Sequence, residues 1–496
     1  MCNVKSGEPP LRNRHQANTA LTGLVSGQSS QAGTDSTAVN QLVPAVDGLH
    51  RRMLLHNATV LSMDPATGDF PKADILIEDG KIAEIGLGLD VTDAVVVEAE
   101  GKIAMPGFVD THNHHFEVAL RGFLADALLQ DDGKPHGKKN YYDLVLNRFT
   151  EIYTPEDVYI SELVASLGQL DAGVTTALDV SQIHNTPEHS DAAVQALKEG
   201  GKRAVLGYFE GKGSGVQYPK DAVRLAKQYF SSSDQLVTMA MGGEIYLPTH
   251  EEAWRIGREL GIRIAFHVVS GFGVLPVLEQ LARDGKLGPD NVLIHMTGMS
   301  DFVWQTTADA GAHISIAVPI DMTMGQGIPP VNQCLRYGLE PSLSSDVECT
   351  MSADFFTQVR SCMTFQRMTV IDADRRGVKD LPELLTSRDV LRFATMQGAK
   401  ALGLEKKVGS LTVGKEADIV LLDATRLNMA PLNNVPGAIV TLMDRSNVEA
   451  VMVGGKFRKW NGQMVGIDWP HLRRQIESSR DGLFARANIE QDLFPR

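Results

Sequence analysis

Only four cysteines occur in 496 residues, Cys2, Cys334, Cys349 and Cys362, and no two of them form a CxxC pair. So sparse a set excludes a disulfide framework and favours a reducing compartment, which we expect to be the cytoplasm. Long apolar runs are also missing: none approaches the roughly 20 residues that a membrane span requires. The N-terminus has no basic start leading into an apolar block and a cleavage site, so no secretory signal is expected. Positive charge is in deficit, with 47 Lys and Arg against 61 Asp and Glu and a net charge of -14. That balance argues against nucleic acid or an anionic membrane as partner and leaves a small molecule. Hydrophobic residues make up 43% and charged residues 22% of the chain, which is ordinary globular usage. The length exceeds what one compact core usually holds, so one barrel-sized domain plus a smaller one is expected.

Residues 1–50 are rich in Ser, Gly, Asn, Gln and Thr without a hydrophobic period, and read as a mostly disordered tail. From Met53 the texture changes to short β-branched runs broken by DG, EG and PG, as in MLLHNATVLSMD, ADILIEDGKIAEIG and AVVVEAEGKIAMPG. The same texture returns in GSLTVGKEADIVLLD and VEAVMVGGKFRKWNG. These pieces, 51–105 and 405–465, predict one small sheet domain built from both chain ends. Between them, over 106–404, eight short apolar strands alternate with helical stretches: AMPGFVDTH, VTTALDV, RAVLGYF, LVTMAMG, RIAFHVV, NVLIHM, AHISIAVP and EPSLSSD. That alternation is the α/β pattern of a (β/α)8 TIM barrel. Residues 466–496 read as an amphipathic helix and tail that packs on the barrel or on a second copy.

Catalytic groups of such a barrel stand at the C-terminal ends of its strands. The first strand ends in Asp110-Thr111-His112-Asn113-His114-His115. Alternation puts His112 and His114 on one side, pointing into the mouth, and His115 on the other. The fifth strand ends at His267, the sixth at His295 and the eighth at Asp346. Three histidines and a carboxylate suit one zinc or ferrous ion with a position left for water, whose pKa then falls toward neutrality. Asp346 is placed to ligate and to accept a proton as general base, and His295 to hydrogen-bond the water or substrate. One histidine at one strand end would ordinarily be structural; a set distributed over strands one, five, six and eight is not so explained.

PGFVDTHNHH, the single histidines of two later strands, the Asp of LSSD and the closing ATMQGAKALGLEKKVGSLTVGKEADIVLLD together resemble the amidohydrolase superfamily, in its cytosine deaminase and triazine hydrolase (chlorohydrolase-like) branch. The resemblance covers roughly residues 52–470. It implies a distorted barrel with a small β-sandwich, metal ligands at His112, His114, His267 and Asp346, substrate or water contact at His295, and self-association into a homo-oligomer. The chain departs from the family pattern twice. Strand four reads LVTMAMGGE, without the lysine that binuclear members carboxylate, so a single metal is expected. His267 is followed by VVSGFG, without the glutamate that many deaminases use as a proton shuttle. Glu244 at the end of strand four is a candidate substitute, against the ordinary reading of a solvated loop carboxylate.

Further substrate contacts are expected from Arg121, which could orient an anion or carbonyl but equally suits a helix salt bridge, and from Asp179 or His184 at the end of strand two. Glu117 follows the paired histidines on the same turn. Cys349 reads as a wall residue, since a nucleophile needs an adjacent base. Gly211–Gly215 lacks a phosphate-loop arrangement and reads as a flexible loop. The expected activity is metal-dependent hydrolysis at an sp2 carbon bearing nitrogen, in an amide, cyclic amide or amino-heterocycle, with release of ammonia or an amine. The rivals are loss of halide or carboxylate from a heteroaromatic ring, and a non-catalytic binding protein that kept the barrel.

Overall fold

The structure, a computed structural model, describes residues 52–494. The expected tail over 1–50 lies outside the described residues. Seventeen β-strands fall into two sheets of nine and eight strands.

The nine-stranded sheet joins the two ends of the chain. Strands β1 (Met53–Val60), β2 (Phe70–Glu78), β3 (Lys81–Gly86), β4 (Val95–Glu98) and β5 (Lys102–Pro106) come from the first end. β14 (Ile419–Asp423), β15 (Val448–Val453), β16 (Lys456–Trp460) and β17 (Gln463–Met464) come from the second. The two sets meet where β5 pairs antiparallel with β14, Ala104 opposite Leu421. The expected sandwich is therefore hydrogen-bonded as one continuous sheet, which branches because β1 pairs with β4 over its first half and β5 over its second. Its alternating inward residues, among them Leu55, Ile75, Ile77, Ile419, Ala450 and Met452, are a buried core of their own.

The eight-stranded sheet is the barrel: β6 (Phe108–Asn113), β7 (Val174–Ser181), β8 (Arg203–Tyr208), β9 (Val237–Gly242), β10 (Ile264–Val269), β11 (Asn291–Thr297), β12 (His313–Ile316) and β13 (Ser342–Leu343). They run parallel in sequence order from β6 to β13. Each coincides with one of the eight strands read from the sequence. An isolated parallel bridge, Asn113 to Asp346, closes the barrel between its first and last members. Val109, Leu178, Val180, Val205, Ala240, Ala265, Val292 and Ile294 pack as one buried cluster with Ala399, Leu402, Leu404 and Val408. Ala265 shares its strand face with His267, so this cluster is the barrel interior. Gly403 lies against Arg263, ahead of β10, so the 399–408 segment plugs the N-terminal end. The interior is filled below and polar above, and the chemistry is confined to the C-terminal mouth.

The C-terminal helix Trp469–Ala487 packs on the helix Pro155–Asp171, where Ser479 donates to Asp157 at 2.6 Å. A surface groove of 830 Å³ runs between these helices and holds none of the strand-end histidines. No helix among the described residues is long and apolar enough to cross a membrane.

Candidate metal centre

The closing seam of the barrel carries the site. His114 N donates to the Asp346 carbonyl and Asp346 N to the His112 carbonyl, each at 2.9 Å. Beneath them, Asp110 accepts from His112 N and Ser345 N at 3.2 Å, from Gln169 Nε2 at 2.9 Å and from the Ser345 hydroxyl. One buried carboxylate thus ties the histidine-bearing strand to the aspartate-bearing segment.

Four ligand atoms converge above this seam. His112 Nε2 lies 2.9 Å from His114 Nε2, 3.2 Å from His267 Nε2 and 3.3 Å from Asp346 Oδ1. His114 Nε2 and the same Asp346 oxygen are 3.5 Å apart. Ligands bonded to zinc at 2.0–2.1 Å in a tetrahedron stand about 3.3 Å from one another, so these spacings fit an ion at their centre. The donor set fits as well. Burial, and then the mutual proximity of the imidazoles, holds His112 and His114 well below the ordinary histidine range, so both are neutral and offer lone pairs. The Nδ1 atoms of both and Asp346 Oδ2 have no hydrogen-bond partner among the described residues. Burial acts to lower His267 too, but the Glu244 carboxylate outweighs it and raises the group, so this imidazole favours a cation at its far nitrogen. Burial pushes Asp346 up to about 6 against the pull of His295 and His267.

His295 is the fifth group. Its Nε2 stands 3.7 Å from Asp346 Oδ2, and its Nδ1 2.7 Å from Asp321 Oδ1. Strict alternation would turn it away from the mouth, because Val292 and Ile294 already face the interior. Instead His295 and Met296 adopt positive φ, 71° and 58°, beside a register shift between β10 and β11. Such a break re-aims a side chain. Asp346 also has positive φ, 62°. Left-handed backbone at non-glycine residues is strained and gathers at functional sites.

The structure gathers His112, His114, His267, His295 and Asp346, as the sequence predicts, and redistributes the other candidates. Glu244 is neither solvated nor a shuttle facing the chamber. It is fully buried, its carboxylate on His267 Nδ1 and its second oxygen accepting from His267 N at 3.1 Å. This is a positioning contact that fixes which nitrogen is free to ligate. The strand-four backbone can carry no large side chain before it: a Cβ on Gly242 would meet Phe209 at 2.4 Å, and one on Gly243 would meet Ile264 at 2.5 Å.

Asp179 does not line the mouth. Its neighbours Leu178 and Val180 take the interior face, so Asp179 points outward to His115 Nδ1 at 3.1 Å. Arg121 ends the short turn after His115 and pairs with Glu348 at 2.7 Å, away from the chamber. His184 is buried on Ser190 at 2.9 Å. Cys349, read as a wall residue, is buried and lines neither the chamber nor the outer compartment, and burial pushes its thiol well above the usual range. It lies beside Glu117, whose carboxylate accepts from Tyr141 Oη at 2.5 Å.

Above the metal ligands is a small chamber lined by Leu129, Tyr141, Gln182, Tyr246, Phe272 and Gln326 together with His114, His267, His295 and Asp346. Its volume of 20 Å³ is room for about one water. It abuts an outer compartment of 490 Å³. None of these chamber residues, nor Asp321, was picked out from the sequence. Asp321 could have been: it is an acid a few residues past an apolar barrel strand, as Glu244 is.

A family model described as the amidohydrolase family matches residues 103–458. The chain belongs to the amidohydrolase family. Among curated relatives, a 5'-deoxyadenosine deaminase of Methanosarcina barkeri is 27% identical over 457 residues, 88% of this chain and 99% of the relative. A 5-methylthioadenosine/S-adenosylhomocysteine deaminase of Acetivibrio thermocellus is 25% identical, over 86% of this amidohydrolase and 98% of the relative. An adenosine deaminase of Xanthomonas campestris with bound zinc shares the fold at a TM-score of 0.76 and 20% identity, covering 87% of this chain and 98% of that one. An atrazine chlorohydrolase of Arthrobacter aurescens complexed with zinc does so at 0.74 and 20%, covering 86% and 100%.

Proposed function

We propose that this amidohydrolase removes the exocyclic amine of an amino-heterocycle of the adenine nucleoside type by hydrolysis, with one zinc ion held by His112, His114, His267 and Asp346. The observation that carries the reading is the convergence at the barrel's closing seam of His114, His267 and Asp346 on His112 Nε2, at 2.9, 3.2 and 3.3 Å. A divalent ion there supplies an activated water near neutral pH and polarises the attacked carbon's substituent. Zinc suits three imidazoles and a carboxylate, and strand four offers Glu244 to His267 rather than a bridging lysine to a second ion. Adenine nucleosides are the substrates in the names of the curated relatives, which match 86–88% of this chain.

The chain's own residues then handle position and protons. Asp346 turns one oxygen to the ligand cluster and the other, unpartnered, toward His295, so it can take a proton from water and pass it to the departing amine. Asp321 holds His295 by Nδ1, which directs Nε2 at the reacting centre. The amides of Gln182 and Gln326 line the chamber and offer donors and acceptors to a ring edge. No carboxylate follows His267 in VVSGFG, where Ser270–Phe272 form a short turn, so proton transfer falls to Asp346 and His295. The three described cysteines are free and buried, which suits a cytoplasmic enzyme. Self-association is read by light scattering.

The test is metal content together with product analysis. Purified protein should carry one equivalent of zinc and release ammonia from adenosine or 5'-deoxyadenosine, with the inosine-type product seen by mass. Chloride from atrazine without ammonia from either nucleoside would assign the other leaving group. An active, zinc-loaded His112→Ala protein would overturn the ligand assignment.

A further inference from the structure

The chamber and the outer compartment share a wall of Leu146, Gln182, Tyr246 and Phe272. Its polar part is a closed cluster from the ends of three consecutive barrel strands. Gln182 Nε2 donates to Glu210 Oε1 at 3.0 Å, and Tyr246 Oη donates to the same oxygen at 2.9 Å. Gln182 also lies 3.3 Å from Tyr246 Oη. The Tyr246 ring meets Phe272 at 5.7 Å. The other oxygen of Glu210, Oε2, is buried and has no hydrogen-bond partner among the described residues. Glu210 itself lines the outer compartment, along with Gln130, Thr150 and Lys212.

A ring seated over the metal ligands does not fit 20 Å³, and a ring that enters from the outer compartment parts this wall. Parting it separates Gln182 and Tyr246 from Glu210 and turns that carboxylate, with Lys212 in the same lining, to whatever fills the compartment. A bare heterocycle does nothing to repair that loss. A heterocycle carrying a hydroxyl or ammonium substituent restores the donors as it enters, and a site built around such a donor rejects analogues that lack it. The intact cluster is therefore both a closed wall and a waiting acceptor.

We propose that Glu210 is a specificity-determining residue, which accepts hydrogen bonds from a donor substituent of the substrate in the outer compartment while the ring lies over the metal ligands, so that the enzyme takes two-part substrates and discriminates against the free heterocycle. This rests on the deaminase reading for the ring and names what must be attached to it.

The experiment uses the zinc-loaded full chain and compares adenosine, 2',3'-dideoxyadenosine, 3'-amino-3'-deoxyadenosine and adenine, by kcat/KM where ammonia is released and by a calorimetric dissociation constant where it is not. Wild type should favour adenosine about tenfold or more over its dideoxy analogue and adenine. In Glu210→Ala the preference should shrink to within about threefold, and Glu210→Gln, which keeps one acceptor oxygen, should fall between. A preference for the amino nucleoside over adenosine, lost in Glu210→Gln, identifies the favoured donor as a cation; the opposite order identifies a neutral hydroxyl. A wild-type preference below about threefold, a preference that survives in Glu210→Ala, or neither turnover nor binding of any of the four overturns the assignment. Binding that depends on Glu210 without ammonia release would sink the deaminase reading alone. Ammonia release with discrimination indifferent to Glu210 would sink this inference alone.

Discussion

The run His112-Asn113-His114-His115 feeds two clusters of the same residue types that stand back to back and differ in what they enclose. On the mouth side, His112 gathers His114, His267, His295 and Asp346, and those four open onto a chamber. On the outer side, His115, Glu162 and Asp179 also come within metal-binding distance of one another. That second set is sealed between β7 and the helix Pro155–Asp171, and a cation already sits in it. Lys202 Nζ lies 2.7 Å from His115 Nε2 and donates to Gln169. Burial pushes Glu162 well above the carboxylate range, Asp179 adding to the effect, so that carboxyl is held protonated. Histidine and carboxylate at ligand spacing do not make a metal site by themselves. Access and the absence of a resident lysine make the difference, since burial lowers His115 as it does His112 and His114.

The largest effect expected from this contrast separates the two adjacent faces of one strand. His112→Ala should lose stoichiometric zinc and cut turnover by about 10^4-fold or more, while His115→Gln should keep its zinc and change chiefly the melting temperature. Metal analysis and ammonia release on both variants decide it, and zinc loss in the His115 variant would erase the distinction. The next effect lies at the residue that joins the clusters. Asp110→Ala removes the acceptor of four buried donors on both sides of the seam. It should cost about 3–5 kcal/mol in denaturant unfolding and loosen zinc as well, because the two ligand-bearing segments lose their tie. Unchanged zinc affinity would mean the seam holds without it.

A smaller effect is expected where a cluster residue acts only through a ligand. Glu244→Gln should weaken zinc about 10–100-fold in competition with a chelator, without abolishing the site. Loss of turnover at full zinc occupancy would instead return Glu244 to the proton-handling role that its place in the sequence suggests. That alternative marks the limit of what could be read from residues alone. The eight strands and four of the strand-end groups were legible because period-two alternation and barrel topology fix which positions face the mouth; His295 was picked out by its strand end and not by its parity. Three features were not. His295 enters the mouth through a positive-φ break that local sequence does not signal. Asp179 sits at a strand end like the ligands, but on the opposite parity. Gln182, Tyr246 and Phe272 come from loops whose path depends on tertiary packing.

The subtlest expectation concerns the resident cation. Burial lowers Lys202 from 10.5 to about 8, against the pull of Asp110, Asp179, Glu162 and Glu348. Between about 8 and the ordinary lysine value the unfolded chain therefore binds more protons than the folded one, and folding stability rises with pH across that window. Below the window both states are protonated, and the burial penalty is present in full; above it the penalty is relieved. The slope from this one group is at most ~1.4 kcal/mol per pH unit. Lys202→Met should remove it, so wild-type and variant unfolding free energies, compared from about pH 7 to about pH 10, should converge or cross rather than run parallel. Zinc content sharpens the comparison further. One equivalent in both proteins means that enclosure alone keeps metal out of the His115 cluster. A second equivalent in Lys202→Met alone means that the lysine was what excluded it, and that the two faces of the strand differ by one side chain rather than by access.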